Sequence, residues 1–265
     1  MIAPDWFQVK FGPLFRGEGD LRHYGGQFRP APSEISGIQK HLLLAACHAV
    51  GEPADSNSFG PPANSMVVFE GMQRYFEHLN GHNAFLAGEL QLAVRPQLMH
   101  RVQRTAVPPI GIHVRLGDFA IPQSDDDLIM RGGVRSPMSW YLGALRYIRS
   151  LVGNQTPAFV VSDGKEDELA PVLAEPEVSL IRTGFAVSDL LILSKARLII
   201  ATGGSSYSAW ASFLGEAPVI SVPGQSLTWF NLCHKRRIRR RAQLKLSAPR
   251  TSEISQCVGW ALASG

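Results

Sequence analysis

Short apolar runs alternate with helical patterns between residues 107 and 225 of the sequence. The apolar runs read PIGIHV, PAFVVSD, EVSLIRTG, RLIIATGG and APVISVPG. Helical patterns separate them at 136–153, 187–196 and 206–215, with a shorter acidic one, KEDELAPVLA, after the second run. Apolar strands that alternate with helices are typical of a parallel sheet covered on both faces. We therefore predict an α/β fold with a doubly wound, Rossmann-like parallel sheet in this part of the chain.

The N-terminal part of the chain differs from this region in amino-acid composition and in its hydrophobic pattern. Residues 1–64 are rich in Gly, Pro and aromatic residues, and 71–104 carry one or two amphipathic helices after a strand end at MVVFEG. We expect a smaller N-terminal α/β domain over 1–106. A Rossmann-like domain over 107–265 would follow, with a basic C-terminal tail at 226–265.

Composition places the chain among ordinary globular proteins. Its 265 residues, 45% hydrophobic and 18% charged, are enough to bury a sizeable apolar core. Cys47, Cys233 and Cys257 show neither a metal-ligand spacing nor a pairing pattern, which favours a reducing compartment and argues against a structural zinc site. No apolar stretch approaches the ~20 residues that a membrane span requires. These features predict a soluble cytoplasmic protein.

One basic run, HKRRIRRR at 234–241, accounts for the formal net charge of +4. Such a run is most often a solvated surface. It also suits peripheral contact with anionic lipid at the inner face of the cytoplasmic membrane. Binding to nucleic acid ranks last, because no aromatic residues are interleaved with the basic ones.

Charged side chains close the first apolar run. The stretch GIHVRLGDFA places His113, Arg115 and Asp118 at the end of a strand. The planar guanidinium of Arg115 suits a phosphate, although an ion pair with Asp118 is the simpler interpretation. A histidine in the position of His113 is ordinarily buried and satisfied by backbone groups. Because ligands bind beyond the carboxyl ends of parallel strands, we rank a pyrophosphate-binding role above these alternatives.

A glycine- and serine-rich turn follows the fourth apolar run, in ATGGSSYSAW. Gly204 would let the backbone approach a ligand, and Ser205 and Ser206 would add hydroxyl donors at the start of a helix, where phosphates bind well. The alternative is that Ser206 simply caps the helix and Gly204 eases the turn. The turn matches neither a P-loop nor G-x-G-x-x-G, nor the G-x-S-x-G of hydrolases.

Asp189 lies near the start of the helical pattern at 187–196. Its carboxylate could complement the helix dipole, with Ser188 as the cap. It could also accept two N–H donors from a base such as guanine. The residues themselves leave both interpretations open.

Three stretches together resemble a known family. HVRLGD resembles the His-x-Arg-x-Gly-Asp motif of the α1,2-fucosyltransferases and the related α1,6- and protein-O-fucosyltransferases. The stretch SDLLILSKARLIIATGGSSYSAWASFLG resembles their later motif, and FEGMQRYFEHL resembles a tyrosine- and phenylalanine-rich stretch of the α1,2 branch. The resemblance covers roughly residues 66–225.

The resemblance implies a GT-B arrangement of two Rossmann-like domains, with GDP-fucose bound mainly by the second. It implies that Arg115 binds the pyrophosphate, Asp189 contacts guanine, Ser205 or Ser206 contacts a phosphate, and His113 lies near the nucleotide. Transfer in this family inverts the anomeric centre without a metal in the site. Arginine and hydroxyl groups stabilise the charge that develops on the departing GDP.

The sequence departs from the family pattern in two places. Leu116 stands where many members have a second arginine, and no Gly-x-Gly-Asn-Gln loop precedes MIAPDW. We therefore expect the first domain to lack its first strand and loop. Asp118 fits the motif as a candidate general base, whereas the acidic residues at 125–127 are more typical of a solvated loop.

These features predict an inverting glycosyltransferase that moves L-fucose from GDP-fucose to a hydroxyl of a glycan acceptor. The expected product is an α1,2 linkage to a galactoside, and the acceptor is a surface-polysaccharide precursor that can be lipid-linked. The main alternative is a non-catalytic module, derived from such an enzyme, that binds a GDP-sugar or a glycan. A weaker one keeps the enzyme but uses another nucleoside diphosphate sugar.

Overall fold

A computed structural model of the chain describes residues 24–32, 34–51, 63–68, 79, 81–124, 126–127, 133–224, 241–245, 247 and 252–262. The helices of this part are α1 (Gly37–Ala46), α2 (Asn83–Ala93), α3 (Pro96–Arg104), α4 (Met138–Val152), α5 (Glu166–Leu173), α6 (Ala186–Leu193), α7 (Ser206–Gly215) and α8 (Ser252–Leu262). The strands are β1 (His48–Gly51), β2 (Ser65–Val68), β3 (Ile110–Val114), β4 (Ala158–Ser162), β5 (Val178–Leu180), β6 (Leu198–Ala201), β7 (Val219–Ser221) and β8 (Arg241–Gln243).

Six strands form one parallel sheet in the order β5-β4-β3-β6-β7-β8. Its first five strands in chain order are the five apolar runs, so the predicted α/β fold with a parallel sheet is confirmed, and the strand order is compatible with a Rossmann-like architecture. The sixth strand, β8, and helix α8 lie in the region that the sequence indicated only as a basic tail.

Helices cover both faces of the sheet, as predicted. Alternate residues of β3, namely Ile110, Ile112 and Val114, face a core that also contains side chains of α4, α5 and α8. The opposite face packs against α2, α3, α6 and α7. The inner strands β3, β4, β6 and β7 are therefore buried on both sides, which explains why their apolar runs are continuous and do not alternate with polar residues.

The order of the strands creates a crevice beside β3. The chain moves from β3 to β4 and β5 on one side, and α6 then carries it back across to β6 on the other side of β3. Helices therefore leave β3 and β6 toward opposite faces, and the carboxyl ends of these two strands border the point where ligands bind in folds of this kind.

Local signals set the ends of some helices but not of others. Helix α4 ends before Gly153, whose φ of 132° suits glycine and which the sequence predicts as the stop. The helix begins at Met138, so Pro137 lies at the N-cap position and not in the first turn, where the sequence predicts it. Helix α6 begins at Ala186, so Ser188 lies inside its first turn and does not cap it. The prediction of Ser188 as a cap is wrong.

The N-terminal residues form less regular structure. Among the described residues before Leu79, the strands are β1 and β2, which pair in parallel with His48 opposite Ser65. Helices α2 and α3 pack against α7 and α6, and Val94, Leu98 and Val102 are buried in the core of that face of the sheet. A second Rossmann-like domain stays a prediction.

Several segments that the sequence singles out lie outside the described residues. They include the FEGMQRYFEHL stretch up to residue 78, Asp125 of the acidic loop, and the basic run up to residue 240; the backbone of Arg241 begins β8. Among the described helices, none combines the length and the apolar character needed to cross a membrane.

Candidate functional site

The carboxyl edge of the sheet brings most of the predicted site residues together. Arg115 and Asp118 follow β3, and the turn at 203–206 follows β6, the neighbouring strand. The two loops are in direct contact, because the main-chain N–H of Arg115 donates a hydrogen bond of 2.8 Å to Oγ1 of Thr202. Arg115 and the serine turn therefore border the same crevice.

The guanidinium of Arg115 is held by two carboxylates. Its Nε and Nη2 donate to Oδ1 of Asp118 at 3.0 and 2.7 Å, and its Nη1 lies 2.8 Å from Oδ2 of Asp163. The ion pair with Asp118, which the sequence suggested as the simpler interpretation, is therefore present. Of the five guanidinium N–H groups, these bonds leave one on each Nη without a partner among the described residues.

Asp163 is a site residue that the sequence analysis missed. It directly follows β4, and its two oxygens accept the main-chain N–H groups of Leu116 and Gly117 at 2.8 and 3.1 Å, in addition to Arg115. These bonds fix the loop that carries Arg115. The sequence did contain a signal for Asp163, because a charged residue directly after an apolar strand also indicated the site at the end of β3.

The two acids hold Arg115 with different strength. The side chain of Asp118 is 41% exposed, whereas that of Asp163 is 14% exposed and also bonded to the backbone. An exposed pair such as Arg115–Asp118 contributes little to stability. The cluster has one positive and two negative formal charges, a net of −1. Because the cluster carries a net negative charge, an anionic ligand is repelled unless Asp118, the more exposed of the two acids, moves aside.

The turn at 203–206 contains a glycine in the left-handed conformation, followed by a serine at the start of α7. Gly204 has φ of 67°, which disfavours other residues, and a Cβ there would meet open space. Ser205 occupies the N-cap position of α7 and is 4% exposed, but its side chain makes no capping hydrogen bond. Ser206 is exposed as the first helical residue, so the prediction that it caps the helix is wrong. The first amides of α7 receive no serine cap and are directed to the edge.

His113 is buried just beneath this edge. Its Nδ1 lies 2.6 Å from Oγ of Ser208, and its ring stacks on Tyr207 with centroids 4.8 Å apart. Burial, and then the nearby charge of Arg115, lower the pKa of His113 from 6.5 to about 3. The ring is therefore neutral near pH 7. The sequence suggested a buried histidine satisfied by the backbone, but the bond at Nδ1 is to a serine side chain.

Leu116 points away from the crevice. It is 6% exposed and belongs to the core beneath α4, and a Cβ added at Gly164 would lie 3.2 Å from its Cγ. Side chains alternate along an extended segment, so residue 116 faces the opposite side of the sheet from Arg115. Another cation that the sequence analysis missed, Arg182, follows β5 at the same edge and donates to the carbonyl of Gly164.

Asp189 lies in the first turn of α6, which begins after β5 at this edge. Its Oδ1 accepts the main-chain N–H of Thr183 at 2.9 Å and so stabilises the turn that leads into the helix. The carboxylate thus has a local structural role, and a contact with guanine stays a prediction.

A scan against protein-family models and a search of curated proteins found no match for this chain. In the described part of the chain, no three His, Cys, Asp or Glu side chains are grouped so that they could hold a metal ion.

Proposed function

We propose that this chain is an inverting glycosyltransferase that transfers L-fucose from GDP-fucose to a glycan hydroxyl, as the motif resemblance implies. One observation carries the proposal. Arg115, with two N–H groups that no described residue takes, borders the crevice between β3 and β6 beside the start of α7, where Ser205 makes no side-chain cap bond. In the proposed GT-B arrangement this sheet belongs to the donor-binding domain. The proposal includes a galactoside acceptor that can be lipid-linked, and a cytoplasmic location with membrane contact through 234–241.

The residues at the edge suggest how the step would proceed. The pyrophosphate would take the two N–H groups of Arg115 and the hydroxyls of Ser205 and Ser206 as hydrogen-bond donors. The acceptor oxygen forms a bond to fucose C1 from the side opposite the phosphate while the bond between C1 and the phosphate oxygen breaks. Negative charge grows on that phosphate oxygen, which leaves as part of GDP, and these preorganised donors stabilise it. Asp118, displaced from Arg115, is the candidate base that takes the proton of the acceptor hydroxyl. No metal takes part in the proposed step.

Replacement of Arg115 tests the proposal. Arg115→Ala should weaken GDP binding about tenfold or more, because charge-assisted bonds to a phosphate are lost. Arg146→Ala is the matched control, since Arg146 is exposed and pairs with Glu175 away from this edge. GDP affinity is measured by calorimetry, and transfer by release of GDP from GDP-fucose with a galactoside acceptor. Unchanged affinity and transfer in Arg115→Ala would contradict the assigned site.

The identity of the nucleobase that the donor carries is tested separately. Thermal shifts with GDP, UDP and ADP, each at the same concentration, compare the three nucleotides directly. A shift with GDP alone supports the guanine contact of Asp189. A shift with UDP alone would exclude that contact and favour a different donor.

A second candidate, a non-catalytic module that binds a GDP-sugar, is favoured by the burial of Leu116 and the net charge of −1 around Arg115. A site with a single arginine binds a pyrophosphate less firmly than one with two. A protein that GDP stabilises against heat, but that releases no GDP from GDP-fucose with acceptor present, would be such a module.

A further inference from the structure

A pair of buried hydroxyl groups lies where β3 and β6 separate. Pairing between these strands ends at His113 opposite Ala201, and Thr202 is the next residue. The Thr202 hydroxyl donates to the carbonyl of His113 at 2.9 Å and accepts the main-chain N–H of Arg115 at 2.8 Å. It therefore joins the two strands at the point where their backbone pairing stops.

Tyr141 of α4 completes this arrangement. Its hydroxyl lies 2.7 Å from Oγ1 of Thr202, and both side chains are fully buried. Because the Thr202 proton goes to the carbonyl of His113, the Tyr141 O–H must be the donor between the two hydroxyls. One donated and two accepted bonds use the full capacity of the Thr202 hydroxyl. Burial also raises the pKa of Tyr141 to about 12, so its donor proton is retained at neutral pH.

We propose that Thr202 and Tyr141 are positioning residues for Arg115, because their hydroxyls fix the main chain from which the guanidinium projects. Thr202 holds the backbone N–H of Arg115, while Asp163 holds its side chain and the next two backbone N–H groups. Arg115 therefore keeps its direction when a phosphate displaces Asp118. Both hydroxyls are fully buried and bonded within the protein, so they act through Arg115 and not on the ligand. The role in donor binding rests on the proposed function.

Isosteric replacements test this role. Thr202→Val removes the hydroxyl but keeps the shape, and it should weaken GDP binding about three- to tenfold, the usual net value of one or two hydrogen bonds. Tyr141→Phe should have a smaller effect in the same direction, and Thr202→Ser should restore the affinity of the native protein. Thr156→Val is the matched control, since the Thr156 hydroxyl bonds to Gly153 at the opposite edge of the sheet.

A double-mutant cycle separates positioning from general stability. In an Arg115→Ala background, Thr202→Val should change GDP affinity less than about 1.5-fold, because the residue that it positions is gone. The same loss in both backgrounds, or unchanged affinity in the single variant, would overturn the proposal. If Thr202→Val does not fold, Tyr141→Phe enters the same cycle, with Tyr147→Phe on the same helix as its control.

A measurement without nucleotide distinguishes failure of this inference from failure of the proposed function. If the native protein binds no GDP, the proposed function fails, but amide hydrogen exchange at Arg115 still reports the bond to Thr202. Exchange of that amide, followed by NMR, should be about tenfold faster in Thr202→Val and unchanged in Thr156→Val. Equal exchange rates in the native protein and in Thr202→Val would overturn the positioning role.

Discussion

Asp118 and Asp163 hold the same guanidinium, and Asp163 also holds the backbone beside it. Asp163 bonds the main chain of Leu116 and Gly117, whereas the Asp118 side chain is 41% exposed. The sequence indicated Arg115 and Asp118 because both lie in one motif. It did not indicate Asp163, since the contact joins residues that are 48 positions apart in the chain, from 115 to 163.

Replacing Asp118 should separate binding from catalysis. Asp118→Asn removes one negative charge beside Arg115, so we expect GDP to bind several-fold more tightly, by about 0.5–1 kcal/mol. If Asp118 is also the base, transfer of fucose should fall at least about 100-fold in the same variant. Calorimetry gives the first quantity and GDP release the second. Weaker GDP binding would show that Asp118 does not compete with the nucleotide for Arg115.

His113 should make stability depend on pH. Its pKa is about 3 in the folded protein against 6.5 when unfolded, so between these values the unfolded chain binds a proton that the folded chain does not. The stabilisation is complete above pH 6.5 and is lost as the pH falls, by about 2 kcal/mol at pH 5. Urea unfolding of the native protein and of His113→Gln at pH 7 and 5 measures this. The same pH dependence in both proteins would exclude His113 as its source.

At the scale of elements, the sequence predicted well what local patterns determine. The five apolar strands follow from the apolar runs. The limits of α4 and α7 follow from their helical patterns and, for α4, from Pro137 and Gly153, which lie at its two ends. Helix α6 begins at Ala186, one residue before the predicted position 187, and ends at Leu193, three residues before the predicted position 196. Oε1 of the buried Gln27 accepts the N–H of Val187 at 2.9 Å, across 160 positions. Strand β8 was missed because three residues, Arg-Ala-Gln, show no apolar run, and its pairing with β7 defines it.

Close contact between α6 and α7 depends on Gly215. A Cβ there would lie 2.7 Å from the carbonyl carbon of Ser194 and nearer still to its oxygen, and both are backbone atoms that cannot rotate away. Gly215→Ala should therefore lower the free energy of unfolding by about 3 kcal/mol, whereas Gly259→Ala in α8, where a Cβ meets open space, should raise it by up to about 1 kcal/mol. Urea unfolding compares the two. Equal effects would contradict the close approach.

For the whole molecule, the strand order could be anticipated only in outline. Alternating strands and helices predicted a parallel doubly wound sheet, but not that β3 would lie between β4 and β6. That order depends on which face of the sheet each connecting helix crosses. Local sequence patterns do not show it, because the strands that pair are far apart in the chain. The order in turn determines which edge can bind a ligand.

A ligand bound in the crevice should therefore affect one edge of the sheet. We expect GDP to slow amide hydrogen exchange in the turn at 203–206 and to leave exchange at 153–157, at the opposite edge, unchanged. Exchange followed by mass spectrometry with and without GDP measures both segments at once. Slower exchange at 153–157 with no effect at 203–206 would place the ligand on the other edge.

The direction of Leu116 limits how this protein can evolve. Its side chain is enclosed by the core and lies against Gly164, so an arginine there would put its charge among apolar groups, where an unpaired charge is strongly disfavoured. A single substitution of this leucine therefore gives no route to two adjacent arginines at the crevice. Stronger binding of anions is more accessible through cations that already lie at the carboxyl edge of the sheet, and Arg182, which follows β5, offers a starting point for that route.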